Sequence, residues 1–386
     1  MSEFRTIREL CSVVVDCPHS TPKWTTSGKI VVRNNNIKHG RIDLSSPSYT
    51  DEEHFAQRIK RAKPQPGDII ITREAPIGDV GMIPENTECC LGQRMVLLRA
   101  DQSVCDNFYL LYSLQSLYVQ HQISWSEGTG TTVSNLRIPH LEQIQIPYLP
   151  IGQQMKISSV LRSLEEKIEN NRKLNDNLQQ QAAALFSSLY DRTNTEVRFT
   201  DLIQILGGGT PKTGENTYWN GNIAFFTPKD VGTPYTLITE KTITEEGLSH
   251  CNSRLYPVNT VFVTARGTVG KVGMSGVPMA MNQSCYALVG KETHQLLVYF
   301  YTLKVVDRLK HKASGAVFDA ITTKDFESEQ IMKLSDDDAR AFLCIAEPMF
   351  QKVLNNCIEN LRLSTLRDSL LPKLMSGEID VSAVQL

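Results

Sequence analysis

The chain states one pattern twice, at an offset of about 190 residues, and that duplication constrains its fold more than any other feature. The stretch IIITREAPIGDVGM (Ile69 to Met82) returns as VFVTARGTVGKVGM (Val261 to Met274), so Thr72, Gly78, Val80, Gly81 and Met82 recur as Thr264, Gly270, Val272, Gly273 and Met274. Upstream, Thr21-Pro22-Lys23 recurs as Thr210-Pro211-Lys212; downstream, Gln93 has its counterpart in Gln283. Solenoid repeats run roughly 20–50 residues. A period this long means two copies of one domain, and so a function used twice.

Each copy carries short apolar runs bounded by Gly, Pro and Asn, the pattern of strands and turns: KIVVRNN, GDIIITRE, GMIPEN and MVLLRA in the first half. A helical stretch is expected at about Asn107 to Ile123, followed by the Gly/Thr loop SEGTGTTVS and the strand-like IQIPYLP. The second half repeats the plan, with a helical stretch near His294 to Lys312 and the loop KASGAV. The domain plan is therefore 1–150, a first globular domain; 151–192, a central helix; 193–335, a second domain; 336–376, a distal helix; and 377–386, a tail.

The two helical segments, Ile151 to Tyr190 and Asp336 to Met375, carry heptad seams. The first seam reads Ile157, Leu161, Leu164, Ile168, Asn171, Asn175, Leu178, Ala182, Leu185, Leu189. The second reads Phe342, Ala346, Met349, Val353, Asn356, Asn360, Leu363, Arg367, Leu370, Leu374. Pairing them antiparallel with Asn171 against Asn360 and Asn175 against Asn356 places Leu178 with Val353, Ile168 with Leu363 and Ile157 with Leu374. Only Leu164 with Arg367 is mixed, and a long arginine stem can snorkel there. The expectation is an intramolecular antiparallel coiled coil with a pseudo-two-fold axis through the asparagines, whose amides penalise slipped registers. Asp336-Asp337-Asp338 suits a helix N-terminus, Pro348 marks a start or kink of the distal helix, and Gly377 suits its stop.

Composition excludes more than it selects. Hydrophobic content of 41% and charged content of 21% are those of ordinary globular protein. No apolar run approaches the roughly 18 residues of a membrane span, and the N-terminus lacks a signal-peptide core. Nine scattered cysteines without a CxxC pair read as reduced thiols in a cytoplasmic protein, with Cys89-Cys90 a matter of packing. The net charge of −2 does not advertise a nucleic-acid binder, and no block is strongly basic. DNA binding would thus need local patches or a partner's phosphate contacts.

Catalytic constellations are missing from the sequence: no GxxxxGK[ST], no HExxH, no GxSxG, no methyltransferase signature, no metal-ligand spacing. Gly207-Gly208-Gly209 leads into Thr-Pro-Lys and not into a helix, unlike a nucleotide cradle. What remains is a duplicated set of polar residues at strand ends and turns: Lys23, Arg33, Asn34, Asn35, Arg73, Gln93, Arg94 and Thr129–Thr132, then Lys212, Thr227, Lys229, Arg266, Asn282, Gln283, Lys312 and Ser314. Arg, Lys, Asn and Gln make bidentate contacts to base edges, while hydroxyls and lysines suit phosphates.

Taken together, the second-half opening FTDLIQILGGGTPKTGENTYWNGNIAFFTPKDV, the VFVTARGTVGKVG turn, the helix IGQQMKISSVLRSLEEKIENNRKLNDNLQQQAAALF and the closing KLMSGEIDV resemble the specificity subunit of type I restriction–modification enzymes. The resemblance covers nearly the whole chain. It implies an α+β fold of two target recognition domains joined by two long antiparallel coiled-coil helices, each domain reading one part of a split double-stranded DNA target. It further implies two methyltransferase subunits docked on the helices and binding S-adenosylmethionine, restriction subunits hydrolysing ATP with magnesium, and no catalytic site, cofactor or membrane anchor on this chain. The first half departs from the pattern, since SVVVDCPHSTPKW lacks the glycine run before Thr-Pro-Lys. A central helix of roughly 50 Å, at about 1.5 Å per residue, would fix the unread spacer. Two other classes stay open at this point: a protein-binding scaffold with paired domains, and, less favoured by the missing motifs, a DNA-modifying enzyme.

Overall fold

The structure, a computed structural model, describes residues 3–38, 40–125, 135–232, 234–312 and 320–385. The chain forms two compact units, Met1–Lys167 with Leu363–Leu386, and Ile168–Arg362. Both long helices are continuous, Ile151–Tyr190 and Asp336–Met375. The units therefore divide within the helices and not at their ends. Each unit takes a portion of both helices because each portion buries its apolar stripe in that unit's own core. Ile157, Leu161, Leu374 and Met375 join Leu98, Leu110 and Val119 in the first. Ala182, Phe186, Phe342, Ala346 and Phe350 join Leu288, Phe300 and Val305 in the second.

Strand order repeats from one unit to the other. In the first, the larger sheet runs Cys11–Asp16, Met95–Ala100, Ile69–Thr72, Val80–Met82, Gly40–Ile42, Ile37–Lys38; in the second, Ile203–Gly207, Cys285–Gly290, Val261–Thr264, Val272–Ser275, Tyr235–Thr236. A second sheet in each unit sets a parallel pair side by side, Lys29–Val32 with Cys89–Leu91 and Trp219–Phe226 with Met279–Met281. A two-stranded ribbon closes each body, Glu3–Thr6 with Gln145–Tyr148 and Glu196–Arg198 with Gln330–Met332.

The repeated motif forms the same turn twice. Thr72 Oγ1 accepts the Asp79 N–H at 2.9 Å, and Thr264 Oγ1 accepts the Lys271 N–H at 2.9 Å. Gly78 (φ 81°) and Gly270 (φ 75°) donate to the carbonyls of those threonines. Positive φ explains glycine there. Gly81 and Gly273 recur for a different reason: a Cβ would stand 3.0 Å from the Arg41 carbonyl and 2.8 Å from the Gly232 carbonyl.

The asparagine register is as the seam predicts. Asn171 Nδ2 donates to Asn360 Oδ1 at 2.9 Å, and Asn356 Nδ2 donates to Asn175 Oδ1 at 2.8 Å, all within the second unit. Asn356 is 1% exposed, and its own Oδ1 has no hydrogen-bond partner among the described residues. Replacing Asn175 alone with leucine strands the Asn356 amide donor and is expected to cost about 1–3 kcal/mol. The double change Asn175→Leu/Asn356→Leu removes both side-chain amides of that layer and should recover most of the loss. Denaturant unfolding of both variants checks this; a double variant no more stable than the single one would contradict it.

Three details differ from the sequence expectation. Arg367 is paired as well as extended to the surface: its Nη2 lies 2.8 Å from the exposed Asp368 and its Nη1 3.4 Å from Glu165 Oε1, and the Tyr112 hydroxyl donates to the other Glu165 oxygen at 3.0 Å. Pro348 neither starts nor interrupts the distal helix but lies inside it. Its missing N–H orphans the carbonyl of Cys344, which is exposed, so water can serve it. The stretch from Asn107 is two helices, Asn107–Gln115 and Leu117–Trp125, because Ser116 is extended and its hydroxyl bonds the Ser113 carbonyl at 2.6 Å. At the termini of the distal helix, Ser335 caps the Asp338 N–H and Gly377 takes φ 75°. Beyond it the tail returns to the first unit, where Val381 is buried and Lys156 Nζ bonds the Ser382 carbonyl at 2.6 Å.

All nine cysteines are free; burial pushes the thiols of Cys89 and Cys90 up to about 12 and about 11. Among the described residues no helix is long and apolar enough to cross a membrane, and no cluster of His, Cys, Asp and Glu could hold a metal ion.

Candidate nucleic-acid interface

Two neighbouring parallel strands that end together leave their following residues side by side at one rim. In the first unit, Lys29–Val32 runs into Arg33-Asn34-Asn35, and Cys89–Leu91 runs into Gly92-Gln93-Arg94. In the second, Trp219–Phe226 runs into Thr227-Pro228-Lys229, and Met279–Met281 runs into Asn282-Gln283-Ser284. One hydrogen bond ties each rim at the same place, Gly92 N–H to the Val32 carbonyl at 2.7 Å and Asn282 N–H to the Phe226 carbonyl at 2.9 Å. The turn of the repeated motif supplies the third wall. Each unit thus has a cleft at the same point of its fold, of about 690 Å³ in the first and about 490 Å³ in the second.

Most of the residues singled out in the sequence converge here. Arg33, Asn34, Asn35, Gln93 and Arg94 line the first cleft; Thr227, Lys229, Arg266 and Asn282 line the second. A cation rests over a tryptophan near each: Arg33 over Trp24 at 5.1 Å, Lys241 over Trp219 at 5.6 Å. The Thr–Gln contact recurs as well. Gln93 Nε2 lies 3.4 Å from Thr21 Oγ1, and the Thr210 hydroxyl donates to Gln283 Oε1. The Thr-Pro-Lys loop is thereby fastened to the rim in both units.

Other candidates lie elsewhere or serve other ends. Arg73 faces inward: Nη1 meets both Asp16 oxygens at 2.9 and 2.8 Å, Nε donates to the Leu136 carbonyl and Nη2 to Asn135 Oδ1, so it belongs to the scaffold and not to the exposed cleft surface. Lys312 pairs with Glu329, a carboxylate 2% exposed. Lys23 is exposed and 3.1 Å from Asp51, and Lys212 is exposed outside the second cleft. Thr227 holds Asp230 through its hydroxyl at 2.6 Å. Arg266 is exposed, with no side-chain hydrogen bond or ion pair among the described residues. Thr129–Thr132 and Ser314 lie outside the described residues.

A residue that the sequence did not single out organises the first cleft. Arg58, 6% exposed, donates to four main-chain carbonyls: Leu91 at 2.7 Å, Ser20 and Gly92 at 2.9 Å, and Pro18 at 3.1 Å. It clips the loop before Thr-Pro-Lys to the Gly92-Gln93 rim. In the second unit no buried arginine does this among the described residues; the loop lies directly on its rim, with the Gly209 N–H donating to the Met281 carbonyl at 3.1 Å. A Cβ on Gly208 would stand 2.2 Å from the Asn282 carbonyl, and one on Gly209 would stand 2.7 Å from the Asn252 nitrogen. The glycine run of one half and the buried arginine of the other thus solve the same problem. Only the glycine run leaves a visible sequence signature.

The comparisons with known proteins agree with this duplicated architecture. The sequence model of the type I restriction modification DNA specificity domain matches residues 2–180 and again 192–333. The chain is 23% identical over 342 residues to the type I restriction enzyme MjaIX specificity subunit of Methanocaldococcus jannaschii, covering 82% of this chain and 78% of that protein. It is 28% identical over 186 residues to the HindI specificity subunit of Haemophilus influenzae, covering 47% of this chain and 40% of that one. Over 100 residues it is 35% identical to the EcoR124I/EcoR124II specificity subunit of Escherichia coli, covering 25% of this chain and 24% of that one. In fold it is similar to the type I restriction–modification S subunit from M. genitalium, with a TM-score of 0.61 at 19% identity, covering 96% of this chain and 95% of that one. The chain belongs to the type I restriction–modification DNA specificity family, as a specificity subunit carrying two copies of the specificity domain.

Proposed function

We propose that this subunit reads a split target in double-stranded DNA, one part in each cleft, and carries no catalytic site or cofactor of its own. The observation that supports this best is the pair of clefts, equal in position and different in side chains. Equal position fits one mode of docking used twice; different side chains fit two different sequences. Asn, Gln and Arg side chains at the rims offer the donor and acceptor pairs that major-groove base edges match. Exposed Lys229 and Lys212 suit phosphates. With a net charge of −2, the chain has little phosphate affinity to spare, so much of it is expected from partners. Those partners are two methyltransferase subunits docked along the long helices and binding S-adenosylmethionine, and restriction subunits using ATP and magnesium, in a cytoplasmic complex that methylates adenine or cleaves DNA.

Gel-shift titration over a salt series, with and without the methyltransferase subunit, tests the reading. A sequence-preferring complex that weakens steeply with salt is expected once the partner is present. No DNA binding even with the partner would instead favour a protein-binding scaffold.

A further inference from the structure

In the first cleft one of the two exposed arginines at the rim, Arg94, does not stand alone. Arg94 occupies the left-handed backbone region at φ 66°, a conformation that costs energy in a residue other than glycine. Its carbonyl accepts the Arg73 N–H at 2.8 Å, which fixes its backbone. Its Nε lies 3.2 Å from Glu74 Oε2, an ion pair that biases the direction of an otherwise exposed side chain. Glu74 is held in turn, since its Oε1 accepts from Asn135 Nδ2 at 2.8 Å. Asn135 Oδ1 then accepts from Arg73 Nη2 at 3.1 Å, and Arg73 ends on Asp16. A hydrogen-bonded chain thus runs from Asp16 through Arg73 and Asn135 to Glu74, and the Glu74 carboxylate at its end forms the ion pair with Arg94 at the cleft.

Such an arrangement aims one group. With Nε paired to a carboxylate, the two terminal nitrogens of Arg94 form the outer end of a planar fork, with no hydrogen bond or ion pair of their own among the described residues. That fork matches the O6 and N7 acceptors of guanine in the major groove. A phosphate contact needs no such aim, because a mobile side chain suffices for a point charge. The second unit lacks the chain: at the positions of Arg73 and Glu74 in the repeated motif stand Ala265 and Arg266, and Ser284 follows Gln283 where Arg94 follows Gln93.

We propose that Arg94 reads a guanine in the part of the target bound by the first unit, and that Glu74 is its positioning residue, held through Asn135 and Arg73. This rests on the DNA-reading role proposed for the clefts. Pooled DNA selection, with the chain complexed to its methyltransferase subunit, tests it. The wild type should give a split motif containing a guanine whose preference falls about tenfold or more in Arg94→Ala, with all other positions kept. Glu74→Ala should weaken preference at that same position, and Arg94→Ala/Glu74→Ala should add little to Arg94→Ala alone. A merely structural role for Glu74 would weaken every position of that half together. An unchanged motif with uniformly weaker binding in Arg94→Ala, or relaxation at a base other than guanine, overturns the proposal while leaving the cleft reading intact. A wild-type selection that yields no split motif overturns both. Arg94 is exposed, so a melting temperature equal to the wild type's is expected for Arg94→Ala and confirms that the fold survives.

Discussion

Arg58→Ala is expected to loosen the first cleft and abolish reading of one half of the target while the other half is still read. The side chain is buried and satisfies four main-chain carbonyls with charge-assisted bonds. Burial disfavours its charged form and lowers its pKa, a cost the native structure already carries for the sake of the clip. Truncation leaves those carbonyls without a donor, at about 3 kcal/mol or more in total. Arg58→Lys should not rescue, because one ammonium cannot span acceptors arranged around a planar fork. Hydrogen exchange of the complex checks this directly. Peptides covering 17–22 and 89–94 should exchange faster in the variant, and those covering 207–211 and 279–284 should not. Unchanged exchange in the first pair would show that the loop is held by other means.

Arg73→Ala is the second large effect, and it separates a scaffold arginine from a reading one. The Arg73 side chain is 11% exposed and the Asp16 side chain 15%, so the ion pair lies largely out of water. Breaking such a pair by removing one partner costs about 3–5 kcal/mol, since the remaining charge loses its compensation. The variant should unfold its first unit at lower denaturant, whereas Arg94→Ala should not. If Arg73→Ala kept wild-type stability and lost only DNA affinity, its inward hydrogen bonds would not be what matters, and the sequence-based assignment of Arg73 to the DNA surface would return.

What the sequence revealed and what it concealed follow from the range over which each cause acts. Thr72, Gly78 and Gly81 are legible as a repeat because their demands are local: a hydroxyl for one N–H, a positive φ, room beneath a neighbouring carbonyl. The asparagine layers are legible because heptad spacing converts position into facing pairs. The seam drifts near Leu185, which is half-buried while Phe186 is 1% exposed, as a helix of 3.6 residues per turn departs from a strict seven-residue repeat. The clefts were half legible. Residue types at strand ends pointed to Arg33, Asn34, Asn35, Gln93, Arg94, Lys229, Arg266 and Asn282, and the fold gathers them. Arg58 was not legible, because in HFAQRIKRAK it is one basic residue among several, and its partners lie more than thirty positions away in either direction. The inward bonds of Arg73 were not legible for the same reason, since its partner Asp16 sits on a distant strand.

The central claim is that the two clefts read separate parts of one target. Its most direct test is pooled DNA selection on the complex with the methyltransferase subunit, run for Arg33→Ala/Arg94→Ala and, separately, for Lys229→Ala/Arg266→Ala. The predicted result is a split motif in which the first pair degrades one part and the second pair degrades the other. Both pairs degrading the same part, or neither altering the motif, would contradict it.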